Sequence, residues 1–237
     1  MANTYFKFKQ FTINQDRCAM KVGTDGVLLG AYTNIEKAQN ILDIGTGTGL
    51  IALMLAQRSN AKITAIEIEK HASIQAKENV ENSKFSNSIE IINTSLQEYA
   101  KNTNNKFDLI VSNPPYFQNS YKAETSQRTT ARHTTKLTYT ELISNSAKLL
   151  SNTGEIYIII PKDEEQNLIE IATCYNLFVT DILNIKPTPT KPPNRVILTF
   201  SKTEKQLTQS ELIIEDKGRH NYSDKYIELT KEFYLKF

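Results

Sequence analysis

The residues best suited to chemistry in this sequence are four in a row, just after an apolar run that predicts a buried strand at 107–111. They are Asn113, Pro114, Pro115 and Tyr116. The Asn113 side-chain oxygen and the Pro114 carbonyl oxygen are acceptors for a planar NH2 group, and Pro115 fixes the backbone that presents the carbonyl. Tyr116 offers an aromatic face on which a flipped-out base stacks. A rigid turn would use the same residues, so the segment alone predicts only a binding site for a planar amine or amide.

A glycine-rich segment lies upstream, between a predicted strand at 40–44 and a predicted helix at 49–58. Gly45, Gly47 and Gly49 follow Asp43 in a Gly-x-Gly-x-Gly pattern. A dinucleotide fingerprint, Gly-x-Gly-x-x-Gly, would have its third glycine at position 50, which is Leu in this chain. Glycines let the backbone turn sharply and approach a ligand, and the free N–H groups of a helix start favour an anion. The segment resembles the S-adenosylmethionine loop of class I methyltransferases, with Asp43 acting on the methionine end of that cofactor.

Further positions agree with a nucleoside-containing cofactor. Glu67 ends the second predicted strand of the alternating series, where a carboxylate meets ribose hydroxyls in doubly wound folds. In the wider superfamily an Asp after the third strand binds the adenine amino group, but this chain has no Asp there. Ser95, or Asn93, would substitute as a neutral and weaker partner.

The chemistry follows from combining the two segments. An aromatic amine is a weak nucleophile because its lone pair is delocalised, so acceptors on its N–H groups favour a form in which that pair is available. A sulfonium methyl group is already electrophilic, and alignment supplies most of the catalysis. No strong base and no metal are required.

The elements that position these residues alternate along the chain. Strands are predicted at 40–44, 62–68, 89–92, 107–111, 155–160, 177–185 and 195–201, with helices near 49–58, 70–82, 138–150 and 163–175. A hairpin is predicted at 5–13, a helix capped by Thr24 or Asp25 follows it, and the tail adds a strand at 212–214 and a helix near 223–235. This alternation predicts a doubly wound, mostly parallel α/β sheet with helices on both faces. We expect one domain over residues 1–237, in which residues 1–38 form an extension against the cofactor site.

Composition sets the remaining limits. The 237 residues carry 28 basic and 26 acidic side chains, so the net charge of +2 argues for no partner by itself. The two cysteines, Cys18 and Cys174, are distant and lack CxxC spacing, which indicates a reducing compartment and argues against a zinc site. No cleavable leader and no apolar run near the ~18 residues of a membrane span are visible. We therefore expect a cytoplasmic monomer that binds neither a membrane nor a metal.

Two further segments carry a family resemblance. The segment at 21–31, Lys-Val-Gly-Thr-Asp-Gly-Val-Leu-Leu-Gly-Ala, precedes the glycine loop, and Arg128-x-x-Ala131-Arg132-His133 follows the tetrapeptide at 113–116. Together they resemble the bacterial tRNA1(Val) adenine-37 methyltransferase family, which methylates the base beside the anticodon on its 6-amino nitrogen. The likeness runs from Phe6 to the tail.

The resemblance implies roles for two groups of residues. Gly23, Thr24 and Asp25 would close over the methionine end of the cofactor, although a simple turn into a helix would use the same residues. A second group would contact RNA phosphates beside the base: Arg128, Arg132, His133 and Lys136. Residues 117–137 hold four basic residues against one acidic residue, a net charge of +3 compared with +2 for the whole chain.

The sequence therefore predicts S-adenosylmethionine-dependent methylation of the adenine 6-amino group in tRNA, with adenine 37 of tRNA1(Val) implied only by the resemblance. A guanine 2-amino methyltransferase of ribosomal RNA is one alternative, although that family often has Phe after the prolines and a duplicated domain. A protein glutamine amide methyltransferase is another, but it usually carries a longer helical domain before the cofactor loop. A non-catalytic RNA-binding module is a third, against which the intact tetrapeptide and glycine loop argue.

Overall fold

The computed structural model describes residues 3–18, 20–115 and 137–236. Ten strands lie in this part of the chain: β1 Tyr5–Lys7, β2 Thr12–Asn14, β3 Asn40–Ile44, β4 Lys62–Glu67, β5 Ile89–Asn93, β6 Phe107–Ser112, β7 Leu150–Pro161, β8 Phe178–Lys186, β9 Arg195–Ser201 and β10 Thr208–Ile213. The same residues form seven α-helices: α1 Thr24–Tyr32, α2 Leu50–Arg58, α3 Lys70–Glu81, α4 Leu96–Asn102, α5 Tyr139–Leu149, α6 Glu165–Cys174 and α7 Asp224–Thr230. A 3-10 turn at Lys162–Glu164 leads into α6.

Eight strands form one sheet in the order β10-β8-β9-β7-β6-β3-β4-β5. β9 is antiparallel to both of its neighbours, and the other adjacent pairs are parallel. Because the chain runs outward from β3 to β5 and then returns to β6 on the other side of β3, the strand order reverses between β3 and β6. The carboxyl ends of strands at such a reversal are where ligands bind in doubly wound sheets.

Helices cover both faces of the sheet, and each face has its own apolar core. One core joins the aromatic residues of the amino-terminal hairpin to α1, α2 and α7, with Phe8, Leu28 and Tyr226 nearly inaccessible to solvent. The other joins α5 and α6 to the opposite face, through Ile143 and Leu168 among others. The predicted mostly parallel sheet with helices on both faces is confirmed.

The amino-terminal hairpin of β1 and β2 is joined to the sheet domain by hydrogen bonds to α3. The backbone N–H of Asn14 donates to Asn79 Oδ1 at 2.9 Å, and Asn79 Nδ2 donates both to the Asn14 carbonyl and to the Thr48 carbonyl, each at 2.9 Å. The backbone N–H of Arg17 donates to Gln75 Oε1 at 2.8 Å. The buried Asn79 side chain therefore connects the hairpin directly to the glycine loop.

Four local predictions need correction. Helix α7 ends at Thr230, whereas the predicted tail helix continues to about 235. The N-cap of α1 is Gly23, in an extended conformation and without a side-chain cap, so the expected capping by Thr24 or Asp25 is wrong. The α4 helix was not predicted, although Ser95-x-x-Glu98 is the sequence pattern of a helix start. β10 begins at Thr208, earlier than the apolar run at 212–214, because an edge strand tolerates polar residues at its beginning.

Helices α1 and α2 approach closely at Gly30, and this contact provides a stability prediction. A Cβ atom on Gly30 would lie 2.9 Å from Met54 Sδ and 3.0 Å from Met54 Cβ. Alanine gains about 1 kcal/mol in helix propensity, whereas overpacking a core costs about 1–3 kcal/mol. We expect Gly30→Ala to lower the free energy of unfolding by about 1 kcal/mol in urea denaturation. The penalty should shrink in a Met54→Ala background, and equal penalties in both backgrounds would contradict the contact.

Candidate functional site

The predicted glycine loop and the predicted amine-binding segment lie side by side. Ile44 is paired with Ser112 across β3 and β6, and Ser112 Oγ donates a hydrogen bond to the Ile44 carbonyl at 3.0 Å. Asn113 directly follows β6, and Gly45 directly follows β3. The sheet register therefore sets these two segments at the same edge, at the point of strand reversal.

The three glycines of the glycine loop have left-handed backbone conformations, and no side chain projects from them. The φ angles of Gly45, Gly47 and Gly49 are +70°, +57° and +83°. A Cβ atom on Gly45 or Gly47 would project into open space, with no heavy atom within 4 Å. Side chains at these positions would fill that space, so glycine keeps it available to a ligand. Gly49 is the N-cap of α2 and supplies no side-chain cap, so the glycine loop ends at a helix N-terminus of the kind that favours anions.

Asp43 is fully buried at the end of β3, and its two carboxylate oxygens differ. Oδ2 accepts a hydrogen bond from Thr46 Oγ1 at 2.6 Å, and the Ala52 backbone N–H also faces the carboxyl group, whereas Oδ1 is buried without a well-aligned hydrogen bond. Burial raises the pKa of Asp43 to about 7, and the neighbouring Glu67 charge adds to the rise. A buried oxygen without a well-aligned hydrogen bond carries a desolvation cost, which a cationic ligand group would remove.

A pH dependence of stability follows from this carboxyl group. Because its pKa is higher in the folded protein than the ordinary value of 3.8, the folded state binds the extra proton between about pH 4 and 7. Asp43 therefore contributes stability that is lost as the pH rises through that range. In chemical denaturation of the ligand-free protein, the difference in unfolding free energy between wild type and Asp43→Asn should fall from pH 5 to pH 8. A difference that is flat with pH would contradict the raised pKa.

Glu67, the last residue of β4, holds the glycine loop through a hydrogen bond. Its Oε2 accepts from the Gly47 N–H at 2.9 Å, and its Oε1 accepts from the Glu69 N–H at 2.9 Å. The sequence predicted Glu67 as a ribose ligand but did not predict that the same carboxylate would hold the loop. Since each carboxylate oxygen has two lone pairs, these contacts leave acceptor capacity for hydroxyl groups.

The two candidates after β5 have different local roles. Ser95 is the N-cap of α4, and its hydroxyl oxygen accepts from the Glu98 N–H at 3.1 Å. Asn93 Nδ2 donates to the carbonyls of Glu67 and Ile68, at 2.8 and 3.2 Å. Asn93 therefore supports the chain at Glu67, and Ser95 retains a second lone pair for an amino group.

Asn113 shares one cavity of about 270 Å³ with the segment at 20–26 and the glycine loop. A Cβ atom on Gly26 would lie 3.1 Å from Leu50 Cδ2 and 3.9 Å from Asn113 Nδ2, so the start of α1 passes close to the asparagine side chain. Pro114 is buried and Pro115 is exposed. A larger cavity of about 490 Å³ lies at the opposite edge of the sheet, lined by the amino ends of β3 to β6, and contains none of the predicted site residues.

Asp25 has a partner that the sequence did not reveal. Arg195, the first residue of β9, places its Nε 2.9 Å from Asp25 Oδ2, and its NH1 donates to the Asn194 carbonyl at 2.9 Å. The two residues are 170 positions apart in sequence, so no local spacing could have predicted the pair. The ion pair connects the start of α1 to the far half of the sheet.

Several predicted site residues lie outside the part of the chain that the structure describes: Tyr116, Arg128, Arg132, His133 and Lys136. Within the described ranges, no group of three or more His, Cys, Asp or Glu side chains is arranged to hold a metal ion. The longest described helix has 12 residues, and none of these helices could cross a bilayer.

Comparison with known proteins agrees with this fold. Residues 21–173 match the model of the methyltransferase small domain family. Among solved structures, a predicted O-methyltransferase from Agrobacterium tumefaciens superposes with a TM-score of 0.72 at 19% identity, covering 88% of this chain and 96% of its own. At that identity the likeness concerns the fold alone. The fold and the family model together define a class I methyltransferase.

Full-length relatives narrow the class. A protein from Parabacteroides distasonis named tRNA1(Val) (adenine(37)-N6)-methyltransferase is 48% identical over 236 residues, with 100% of both chains covered. One of the same name from Trichodesmium erythraeum is also 48% identical over 240 residues, again with 100% of both covered. The chain belongs to the tRNA1(Val) (adenine(37)-N6)-methyltransferase family.

Proposed function

We propose that this protein transfers a methyl group from S-adenosylmethionine to the 6-amino nitrogen of adenine 37 in tRNA1(Val). The observation that carries the proposal is the shared cavity in which Asn113 faces the glycine loop across the β3–β6 reversal. The full-length relatives support the choice of reaction, since they bear that name at 48% identity.

The cavity is lined by Gly45, Gly47 and residues 23–25, and the carboxylates of Asp43 and Glu67 hydrogen-bond to Thr46 and Gly47 of that lining. This set of residues fits the proposed cofactor. Asp43 Oδ1 is a buried acceptor without a well-aligned hydrogen bond, suited to the ammonium of the methionine end. Gly45 and Gly47 leave open space where side chains would stand, and the Glu67 carboxylate suits the ribose hydroxyls. Ser95 is proposed to accept from the adenine amino group, and Gly23, Thr24 and Asp25 to close over the methionine end. When bound, S-adenosylmethionine supplies an electrophilic methyl group.

The chain's own residues act on the target amine. Asn113 and the Pro114 carbonyl are proposed to accept its two N–H groups, which holds the nitrogen and favours an available lone pair. Pro115 restricts the backbone that presents the carbonyl. Tyr116 is proposed to stack on the base once it is flipped out of the stacked bases of its loop. The N–H groups become acidic as the new bond forms, so a proton can leave to water without a strong base.

Recognition of the RNA is assigned in part to basic residues that lie outside the described ranges. We propose that Arg128, Arg132, His133 and Lys136 contact phosphates beside the target base, because their segment carries a net charge of +3. We further propose that the protein acts as a cytoplasmic, single-domain monomer without a metal cofactor.

Nucleoside mass spectrometry of tRNA from a deletion strain tests the function. Loss of 6-methyladenosine from position 37 of tRNA1(Val), restored by the wild-type gene, is the expected result. Intact 6-methyladenosine at that position would contradict the proposal. Loss of a 2-methylguanosine from ribosomal RNA instead would favour the guanine alternative.

A further inference from the structure

The carboxyl edge of the sheet continues beyond Asn113, away from the glycine loop, into two segments to which no role has yet been given. The first, here called the proline loop, comprises residues 187–194 between β8 and β9. The second, here called the tail turn, comprises residues 214–222 after β10. β7, β8 and β10 run in the same direction as β6, and β9 begins where they end, so both segments share the edge of Asn113. With strands about 4.8 Å apart, they lie roughly 10–19 Å from the β6 exit.

Backbone hydrogen bonds join the proline loop and the tail turn into one surface. The N–H groups of Ile214 and Glu215 donate to the carbonyls of Lys186 and Pro187, at 2.9 and 3.0 Å. The Asn194 N–H donates to the Ile185 carbonyl at 3.0 Å, which closes the proline loop back onto β8. Four prolines within the loop further restrict its backbone. A ligand that binds here would therefore meet a largely preformed surface.

The tail turn is also fixed internally. The Asn221 N–H donates to the Gly218 carbonyl at 3.0 Å, and the Asp216 N–H donates to the Asn221 carbonyl at 3.2 Å. Glu215 Oε1 accepts from the His220 N–H at 2.9 Å, so one of its carboxylate oxygens serves the turn itself. The side-chain oxygen Oδ1 of Asp216 is buried. Lys217 and Arg219 remain exposed at the tip.

Charge pairing along this edge divides its basic residues into two groups. One group lies opposite carboxylates: Lys162 with Glu165 at 2.5 Å, Lys186 with Glu211 at 3.6 Å, and Arg195 with Asp25 at 2.9 Å. The other group consists of Lys191, Lys217 and Arg219, which are exposed and form no ion pair with any described residue. These three cations are available to an external polyanion.

We propose that Lys191, Lys217 and Arg219 form a phosphate-binding surface for the RNA backbone that flanks the target nucleotide, on the side of Asn113 opposite the cofactor loop. This proposal rests on the proposed function, because a base held at Asn113 requires its own strand to continue along the same edge. Lysine and arginine at exposed positions bind phosphates without reading the sequence, so the surface would set affinity and orientation.

The test compares two double variants, Lys217→Ala/Arg219→Ala and Lys37→Ala/Lys62→Ala. The second is a matched control that removes two exposed lysines near the opposite edge of the sheet. We expect the tail-turn variant to raise KM for a tRNA1(Val) transcript about 5- to 20-fold. The slope of log Kd against the logarithm of the salt concentration should fall by about 1.5. Its kcat and its Kd for S-adenosylmethionine should stay within about twofold of wild type, and Lys191→Ala should add to the effect.

The outcomes separate this proposal from the proposed function. If the wild type methylates the tRNA but the tail-turn variant keeps the wild-type KM and salt slope, the surface is not a phosphate site. An equal effect in the control variant, or a loss of cofactor affinity, would also overturn it. If the wild type binds the transcript without methylating it, the proposed function fails, while the salt slopes still decide whether this surface holds RNA.

Discussion

Asn113→Ala is expected to lower the rate of methyl transfer under saturating conditions by about 10²- to 10³-fold, comparable to removing one positioned hydrogen-bonding group from an active site. The side chain follows β6 directly and faces the cavity of the glycine loop, yet it is no part of that loop. The Kd for S-adenosylmethionine should therefore change by no more than about threefold. Single-turnover methylation of a tRNA1(Val) transcript and calorimetric titration of the cofactor measure the two quantities separately.

Asn113→Asp is the matched control for that variant. It keeps a side-chain oxygen at the same distance from the backbone, so it should retain more activity than Asn113→Ala. If Asn113→Ala methylates at close to the wild-type rate, the assigned role of the amide oxygen is wrong. If both variants are equally inactive but neither binds the cofactor, Asn113 instead supports the shape of the cavity.

Asp43→Asn is expected to weaken binding of S-adenosylmethionine by about 10- to 150-fold, since a hydrogen bond to a charged group contributes about 1.5–3 kcal/mol. The neutral amide keeps an acceptor for Thr46 but removes the charge opposite the ammonium. The wild-type affinity should rise from pH 6 to a maximum near pH 7.5, as Asp43, with its pKa of about 7, loses its proton. The gain should end there because the α-amino group of the cofactor loses its own charge with a pKa of about 7.7–8.0.

Calorimetric titration at several pH values measures this profile. Asp43→Asn should lack the rise in affinity that the wild type shows between pH 6 and about pH 7.5. Affinity that is unaffected by the substitution would show that Asp43 does not face the ammonium and that its raised pKa reflects burial alone.

Much of the fold was predictable because buried parallel strands are short apolar runs. Those runs placed β3, β4 and β6 to within a residue or two of their observed limits. The α4 helix was not predicted because it is short and buries only Leu96 of its seven residues, so its sequence shows no extended apolar periodicity. The polar beginning of β10 was not predicted as strand because pairing at a sheet edge depends on backbone hydrogen bonds more than on side-chain burial.

The candidate site was predictable where its chemistry lies in local sequence. Asp43 and the glycines form one short segment, and their spacing indicated both a turn and a ligand. The pairing of Asp25 with Arg195 could not be inferred, because it depends on how β9 is inserted antiparallel into the sheet. The second role of Glu67, which fixes the Gly47 N–H, likewise depends on the register between neighbouring strands.

Methylation of defined transcripts by the purified protein tests the central claim most directly. Two tRNA1(Val) transcripts would be compared, one with adenine and one with guanine at position 37, in the presence of S-adenosylmethionine. The account predicts one 6-methyladenosine per molecule, mapped to position 37, in the first transcript and none in the second. Equal methylation of both transcripts, or a product other than 6-methyladenosine, would contradict it.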